Sequence, residues 1–343
     1  VGVGFLGVLV QFLSGKIGVG ATLAGLPANF FVYLLGAFVC GFSVCILNTV
    51  VNPMLNLLGG GGNRGNQLVQ IGGTFNSTLG TLTPMLVGAL IGTVTKDTAI
   101  TDVNTVLYIA MGVFAVTFLI LTFIPFVEPE QEKTDVSVKA LLKYKHLVFG
   151  VIAIFVYVGV EVGIPGTLNF FLTDTLGTAN AATTAGFVAG TYWFLMLIGR
   201  FVSSLISGKV SSRTQLAVTN AVAIALVIAA MFTTEVQASM PVFTGTGFGM
   251  AQVPLTALLL VCCGLCTSVM WGTIFNLSVE GLGKYSALAS GLFMTMVVGG
   301  GVLPLIQNAI ADATSYMASY WVVVAALAYM LWFALFGSKV KNA

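Results

Sequence analysis

The sequence has very little charge. Only 7% of its 343 residues are Asp, Glu, Lys or Arg, and 57% are hydrophobic, whereas soluble domains carry about 25% charged residues. A chain this apolar is excluded from the soluble globular class, and a polytopic, all-α membrane protein in contact with the lipid bilayer is predicted. Because the formal net charge is only +2, we expect no nucleic-acid partner.

Groups that carry out catalysis or bind metals are equally scarce. The single histidine, His146, has no nucleophile near it in the sequence, and the glycine run 59–62 is not followed by the Lys-Ser/Thr of a phosphate-binding loop. All five cysteines lie inside apolar runs. Cys263 and Cys266 form a C-x-x-C, but no second pair or histidine cluster accompanies them. We therefore expect no enzyme, no metal site and no cofactor.

Apolar segments of the length that crosses a bilayer, about 20 residues, recur along the chain. We predict ten such segments, the first of them cut short, at residues 1–14, 29–58, 66–95, 104–127, 146–173, 181–207, 215–233, 251–279, 286–311 and 316–337.

The most charged connection, residues 128–145, divides these segments into two groups. It contains four lysines and four acidic residues, so we interpret it as a cytoplasmic linker between an N-terminal helical bundle at 1–127 and a C-terminal six-helix bundle at 146–343. Placing the linker in the cytoplasm puts ten Lys and Arg residues on that side and only Lys16 and Lys96 on the other. This asymmetry is typical of a multi-pass protein, and we expect it in the inner membrane of a bacterium.

A short repeat indicates that the two halves share an architecture. The runs 82–86 and 302–306 each centre on a proline, and these prolines follow Gly59 and Gly283 by 25 and 21 residues. Parallel repeats of this kind occur in transporters. Because the second half has six segments and the first has four, we expect two further helices before Val1, so that ten of a probable twelve are present.

Amides form a stripe on the segment 29–58. Asn48, Asn52 and Asn56 are spaced four residues apart and therefore share one helix face. In a membrane, such amides either hydrogen-bond to neighbouring helices or line a polar cavity, and both interpretations stay open.

The segment 146–173 carries a second stripe, with Tyr157, Glu161 and Asn169 at multiples of four and Pro165 on the same face. An ionisable group in a membrane segment is costly and usually faces a partner or a watery cavity. Glu161 is thus either a structural carboxylate or a functional one. We expect it to lie about twice as deep as Arg200, which is about 10 Å from the end of its segment, so the two are not expected to pair.

Further polar candidates lie on two other segments. The segment 66–95 offers Gln70 and Asn76, and 251–279 offers Trp271 and Asn276. A tryptophan beside polar groups can stack on a sugar ring or fill the core, and the sequence does not decide between these roles.

Five runs in order along the chain carry a resemblance to a known family. They are Asn48 to Pro53, Gln70 to Ser77, Tyr157 to Glu161, Gly199 to Phe201, and Thr273 to Leu277 with the Gly299–Gly301 run that follows. Together they resemble the fucose–proton symporter family of the major facilitator superfamily. The resemblance implies a twelve-helix, two-bundle transporter that works by alternating access. It also implies a hexose substrate, coupling to protons or sodium, and a cavity lined by 29–58, 146–173 and 251–279.

The resemblance also shows a departure at Asn48, where fucose permease has a glutamate tied to proton coupling. An amide cannot titrate, so coupling falls either to Glu161 or to the first helix expected before Val1, and we predict Glu161 as the proton-coupling residue. We expect a secondary active transporter of a hexose-type sugar. The alternatives are a transporter of another small solute and a membrane receptor or assembly subunit that carries none. The predicted substrate-binding residues are Asn48, Asn52, Gln70, Asn76, Glu161, Asn169, Trp271 and Asn276.

Overall fold

The computed structural model describes residues 1–91, 100–124, 138–177, 181–243 and 247–340. The side chains of residues 80–91 and of a few single positions are likewise not described. Most of the predicted linker at 128–145 lies outside the described residues.

Helices dominate the chain, and the predicted all-α membrane class is confirmed. The helices are α1 (Gly2–Leu13), α2 (Ala28–Leu58), α3 (Gly62–Ile91), α4 (Asn104–Phe123), α5 (Val138–Leu141), α6 (Lys145–Thr175), α7 (Ala181–Ile206), α8 (Ser212–Met231), α9 (Leu255–Thr267), α10 (Met270–Val279), α11 (Ser286–Thr295), α12 (Gly299–Ala313) and α13 (Tyr316–Trp332), which continues into a π-helical turn at Phe333–Gly337.

Eight helical segments among the described residues are long and apolar enough to cross a membrane. They are formed by α2, α4, α6, α7, α8, α9 with α10, α11 with α12, and α13. α1 has only 12 residues, and α3 has 30 but carries more polar side chains. The count of ten spans therefore stays a prediction.

Two short antiparallel hairpins interrupt the helices. β1 (Thr22–Leu23) pairs with β2 (Leu26–Pro27), and β3 (Gln237–Phe243) pairs with β4 (Phe248–Pro254). The predicted start of a helix at residue 251 was wrong, because the helix begins at Leu255. Pro254 explains this boundary, since a proline disfavours helical backbone in the residue before it and supports a helix that starts just after it.

The chain forms two compact units. The first combines residues 1–51 with 82–131, and the second combines 52–81 with 132–343. In the first unit, α1 approaches α2 closely where Gly7 faces Gly36. A side chain at Gly7 would meet the Cys40 backbone nitrogen at 2.7 Å, so small residues at this crossing allow the two backbones to touch.

In the second unit, α6 lies at the centre and packs against α7, α10, α12 and α13. Its contact with α12 depends on glycines of both helices: Gly159 lies against Leu303, and Gly163 against Gln307. A Cβ at Gly299 would collide with the backbone carbonyl of Phe155. The α6–α12 pair is therefore held by close backbone approach rather than by large side chains.

Helix irregularities in this unit lie next to the polar residues. Pro165 inside α6 has no N–H to donate, so the carbonyl of Glu161 lacks its usual helical partner. One turn away, the Tyr320 hydroxyl donates to the Ile164 carbonyl at 3.0 Å. The predicted helix 251–279 is also broken, because α9 ends at Thr267 and α10 begins at Met270.

The glycine packing predicts a difference between two substitutions in the first turn of α12. Gly299→Ala should lower the free energy of unfolding by about 1–3 kcal/mol, because the new methyl group meets backbone that cannot move aside. Gly301 has nothing within 4 Å of its Cβ position, so Gly301→Ala should be neutral or stabilise by up to about 1 kcal/mol. Thermal unfolding of the purified variants measures both, and equal melting temperatures would contradict the packing argument.

Candidate functional site

A polar face runs along α3 in the second unit. Asn66, Gln70, Gly73 and Ser77 are spaced by four, three and four residues, so they lie on successive turns of one side of the helix. We call this face the α3 track. It begins near the end of the unit that carries Arg64, Lys209, Arg213 and Lys339, here called the basic end, which the charge distribution predicts to face the cytoplasm.

An ion pair lies at the inner end of the α3 track. Arg200 on α7 places its Nη2 atom 3.3 Å from Oε1 of Glu161 on α6. Its Nη1 atom donates to Ser77 Oγ at 2.6 Å and to the Gly73 carbonyl at 3.4 Å. The side chains of Arg200 and Glu161 are only 10% and 13% exposed. The guanidinium therefore connects α7 to α6 and α3 at once.

The expectation that Arg200 and Glu161 do not pair was wrong. The depth estimate counted residues from the basic ends of both helices as if these ends lay at one level. α6 has 31 residues, about 46 Å of helix, against about 30 Å for a bilayer core, so the distance of Glu161 from the first residue of α6 does not measure its depth. The long, flexible arginine side chain covers the remaining distance.

Gly73 makes room for this arrangement. A Cβ at position 73 would lie 3.5 Å from Cδ of Arg200, in ordinary van der Waals contact. A larger side chain would occupy the space where the arginine passes across α3. The stem of Arg200 thus packs on the glycine while its head group reaches the carbonyl of the same residue.

Aromatic rings flank the ion pair. Tyr157, one turn before Glu161 on α6, is fully buried, and its hydroxyl lies within electrostatic range of both charged groups. That hydroxyl has no hydrogen-bond partner among the described residues. The Tyr157 ring lies 6.3 Å from the Trp271 ring, which in turn contacts Phe293 edge to face at 5.9 Å. Trp271 is therefore packed in an aromatic cluster yet remains half-buried.

Gln70 binds at the break between α9 and α10. Its Nε2 atom donates to the Val269 carbonyl at 3.0 Å, and the residue is only 2% exposed. The same carbonyl accepts from the Thr273 hydroxyl at 2.8 Å. The amide therefore ties α3 to the broken helix rather than facing solvent in this conformation.

A chain of amides forms a second contact near the basic end. Asn56 Nδ2 donates to Asn276 Oδ1 at 2.8 Å, and Asn276 Nδ2 donates to Ser212 Oγ at 3.0 Å. Nearby, Gln67 Nε2 donates to the Ser204 carbonyl at 2.9 Å. These contacts join the 52–81 segment to α7, α8 and α10 through neutral hydrogen bonds.

The other predicted residues are not brought to the ion pair by any described contact. Asn48 is half-buried on the part of α2 that belongs to the first unit, and Asn52 is buried on the part in the second. Asn76 is exposed on α3. Asn169 lies two turns beyond Glu161, and its Oδ1 is buried without a partner among the described residues.

Asn66 is a polar residue that the sequence interpretation missed. It is completely buried, and neither its Nδ2 nor its Oδ1 has a hydrogen-bond partner among the described residues. Its spacing from Gln70, Gly73 and Ser77 would have placed it on the same face. Its position at the start of the predicted span 66–95 gave no signal that it is buried.

Comparisons with known proteins identify the family of this chain. The family model of the Major Facilitator Superfamily matches residues 5–297, and the chain belongs to this superfamily. It is 29% identical to the glucose/galactose transporter of Brucella abortus, covering 97% of this chain and 78% of the relative. It is 23% identical to the L-fucose-proton symporter of Escherichia coli, with coverages of 90% and 74%.

The fold matches a solved transporter of the same superfamily. The crystal structure of FucP in the outward conformation superposes with a TM-score of 0.76 at 19% sequence identity, covering 98% of this chain and 83% of that one. The predicted superfamily and its fold are thus confirmed.

The ion pair predicts a double-mutant result. Arg200→Gln leaves the Glu161 carboxylate buried without its partner and should destabilise the protein by about 3–5 kcal/mol. Adding Glu161→Gln removes the uncompensated charge and should restore most of that loss. Arg213→Gln is the control, because the hydrogen bonds of Arg213 among the described residues go to Ser338, near the basic end. Thermal unfolding is measured for the unsubstituted protein, the two single variants Arg200→Gln and Glu161→Gln, the double variant and the control, and strictly additive losses in the double variant would show that the pair is not coupled.

Proposed function

We propose that this chain is a secondary transporter that moves a neutral, hexose-type sugar across the membrane by alternating access. The observation that carries the proposal is the buried ion pair between Glu161 on α6, a helix that contains Pro165, and Arg200 on α7 of a Major Facilitator Superfamily chain. The names of its relatives, a glucose/galactose transporter and a fucose–proton symporter, support a sugar as the solute.

The charge balance favours a neutral solute. The carboxylate and the guanidinium compensate each other, so this part of the membrane interior offers no net charge to a sugar acid or an amine. Neutral sugars are instead recognised by groups that donate and accept hydrogen bonds in a mostly apolar setting. Amides provide both functions, and the proposed solute contacts are Asn48, Asn52, Asn76, Asn169, Trp271 and Glu161.

Gln70 and Asn276 take a different role in the proposal. Both amides are committed to protein partners, Val269 in one case and Asn56 with Ser212 in the other. They hold helices together in this conformation and would reach solute only when those bonds open.

Coupling in this proposal depends on Glu161. The ionised carboxylate is compatible with burial because Arg200 pairs with it. When Glu161 gains a proton, the charge–charge attraction within the pair is lost, whereas Arg200 keeps its bonds to Ser77 and Gly73 on α3. Protonation therefore changes how α6 and α7 are held to α3. We propose that the proton is the coupling ion. Coupling to sodium is the alternative that the vesicle experiment tests.

Location and domain organisation complete the proposal. The transporter would lie in the inner membrane of a bacterium, with helical bundles at 1–127 and 146–343 joined by a cytoplasmic linker at 128–145. The bacterial origin of its relatives supports this placement.

The proposal predicts the behaviour of Glu161→Gln in sealed vesicles. This variant should bind and exchange sugar but should not accumulate it in response to a pH gradient, because a glutamine cannot carry the proton. The measurement is binding and uptake of labelled glucose, galactose and fucose with a pH gradient, with a sodium gradient and with neither. Asp174→Asn is the matched control, since Asp174 is an exposed acid at the far end of the same helix, and it should behave as the unsubstituted protein.

Three other outcomes of this experiment decide the alternatives. Proton-driven accumulation that survives in Glu161→Gln would contradict the coupling role. Accumulation driven only by a sodium gradient would assign sodium instead. Sugar binding without any uptake by the unsubstituted protein would favour a receptor or assembly subunit.

A second prediction separates solute contacts from structural amides. Asn76→Ala should weaken sugar binding by about 1–3 kcal/mol, the usual cost of leaving a polar group unpaired, with little change in melting temperature. Asn276→Ala should lower the melting temperature with little change in sugar affinity, because it removes the partner of Asn56. Calorimetric titration and thermal unfolding of the two variants measure these effects, and unchanged affinity in folded Asn76→Ala would assign Asn76 to helix packing.

A further inference from the structure

The α3 track connects the ion pair to the basic end of the second unit. At its inner end Ser77 and Gly73 accept from Arg200, and one turn further Gln70 binds the Val269 carbonyl. Asn66 lies another turn towards the basic end. Among the described residues of the track, it is the member whose polar atoms have no partner.

An unpartnered amide at this position needs an explanation. Asn66 is 0% exposed, so water at the surface does not satisfy it, and an unpaired buried polar group destabilises the conformation that contains it. An apolar residue of similar size would remove that cost. The presence of an asparagine at this position is understandable if the Asn66 amide makes its hydrogen bonds in another step of the transport cycle.

The surroundings of Asn66 allow such a step. Gly272 on α10 faces it, and a Cβ there would lie 3.0 Å from Asn66 Oδ1 and 2.7 Å from Gln70 Nε2. The glycine thus lets the amides of α3 lie directly on the α10 backbone. The break between α9 and α10 at Ser268 and Val269 lies beside the same contact. A small separation of α3 from α10 would open space in front of the Asn66 amide.

The chemistry of the amide defines the ligand class. Nδ2 donates and Oδ1 accepts, and both are available. A cation would leave the donor unsatisfied, and an anion would leave the acceptor unsatisfied. A hydroxyl group donates and accepts at once, so it satisfies both atoms.

We infer that Asn66 is a solute-binding residue of the cytoplasm-facing state, and that the α3 track is the route by which a hydroxyl-bearing neutral solute leaves the ion-pair region. The inference rests on the proposed function and adds to it a second binding position. Asn66 contributes nothing to solute binding in the conformation described here, because its amide is closed off against α10.

The position of Asn66 predicts that its substitution changes the half-saturating sugar concentration differently on the two sides of the membrane. Asn66→Ala should raise the half-saturating glucose or galactose concentration about tenfold when sugar is supplied from the cytoplasmic side, the factor that corresponds to about 1.4 kcal/mol. It should leave the value for the opposite side unchanged. The measurement is uncoupled sugar exchange in right-side-out and inside-out vesicles that contain the full protein.

A matched control is available on α8. Asn220 is also fully buried, and its Oδ1 also has no partner among the described residues, but it does not belong to the track. Asn220→Ala should change neither half-saturating concentration. Asn66→Ser, which keeps a donor and an acceptor, should recover part of the cytoplasmic-side affinity and provides the test if Asn66→Ala does not fold.

The outcomes separate this inference from the proposed function. If Asn66→Ala and Asn66→Ser leave the half-saturating concentration unchanged on both sides, while the unsubstituted protein exchanges sugar, the inference is overturned. The Asn66 amide would then bind a structural water only. A symmetric loss on both sides would also overturn it, because it would place Asn66 in a general structural role. Failure of the unsubstituted protein to bind or exchange any sugar would overturn the proposed function itself.

Discussion

A buried carboxylate must be compensated, and the centre of the second unit is arranged around that requirement. Glu161 lies on a helix that spans the membrane, where an unpaired charge is costly. Arg200 compensates it at 3.3 Å and also reaches two groups of α3. Three helices are thus positioned by one guanidinium. Any event that changes the charge of Glu161 changes the forces on all three, which is why the pair suits a coupled transporter.

The other contacts of this unit allow rearrangement at modest cost. α6 and α12 meet through glycines whose backbones touch, whereas the 52–81 segment is held to α7, α8 and α10 by neutral amide and hydroxyl bonds. Single bonds of this kind contribute about 0.5–1.5 kcal/mol each. The unit therefore combines a rigid pair of helices with a set of bonds that can open and re-form during a transport cycle.

Much of this arrangement could be predicted from the sequence, but the pairing of its polar groups could not. The lack of charge predicts a membrane protein, and the position of Glu161 in an apolar run predicts a carboxylate that faces a partner or a cavity. Periodicity grouped Asn48, Asn52 and Asn56 on one face of α2. It could not show that Arg200 reaches Glu161, because helix depth depends on how far α6 extends beyond the bilayer. Nor could it show the break after Thr267, since apolar composition continues through it.

The central claim is that Glu161 exchanges a proton during the cycle while Arg200 compensates its ionised form. Infrared difference spectroscopy of the lipid-reconstituted protein tests it most directly, by recording the carboxylic-acid carbonyl band before and after addition of sugar at constant pH. The account predicts that sugar binding changes the intensity of one protonated-carboxyl band and that this change is lost in Glu161→Gln but retained in Asp174→Asn. An identical sugar-induced band in Glu161→Gln would contradict the account and assign the proton to another carboxylate.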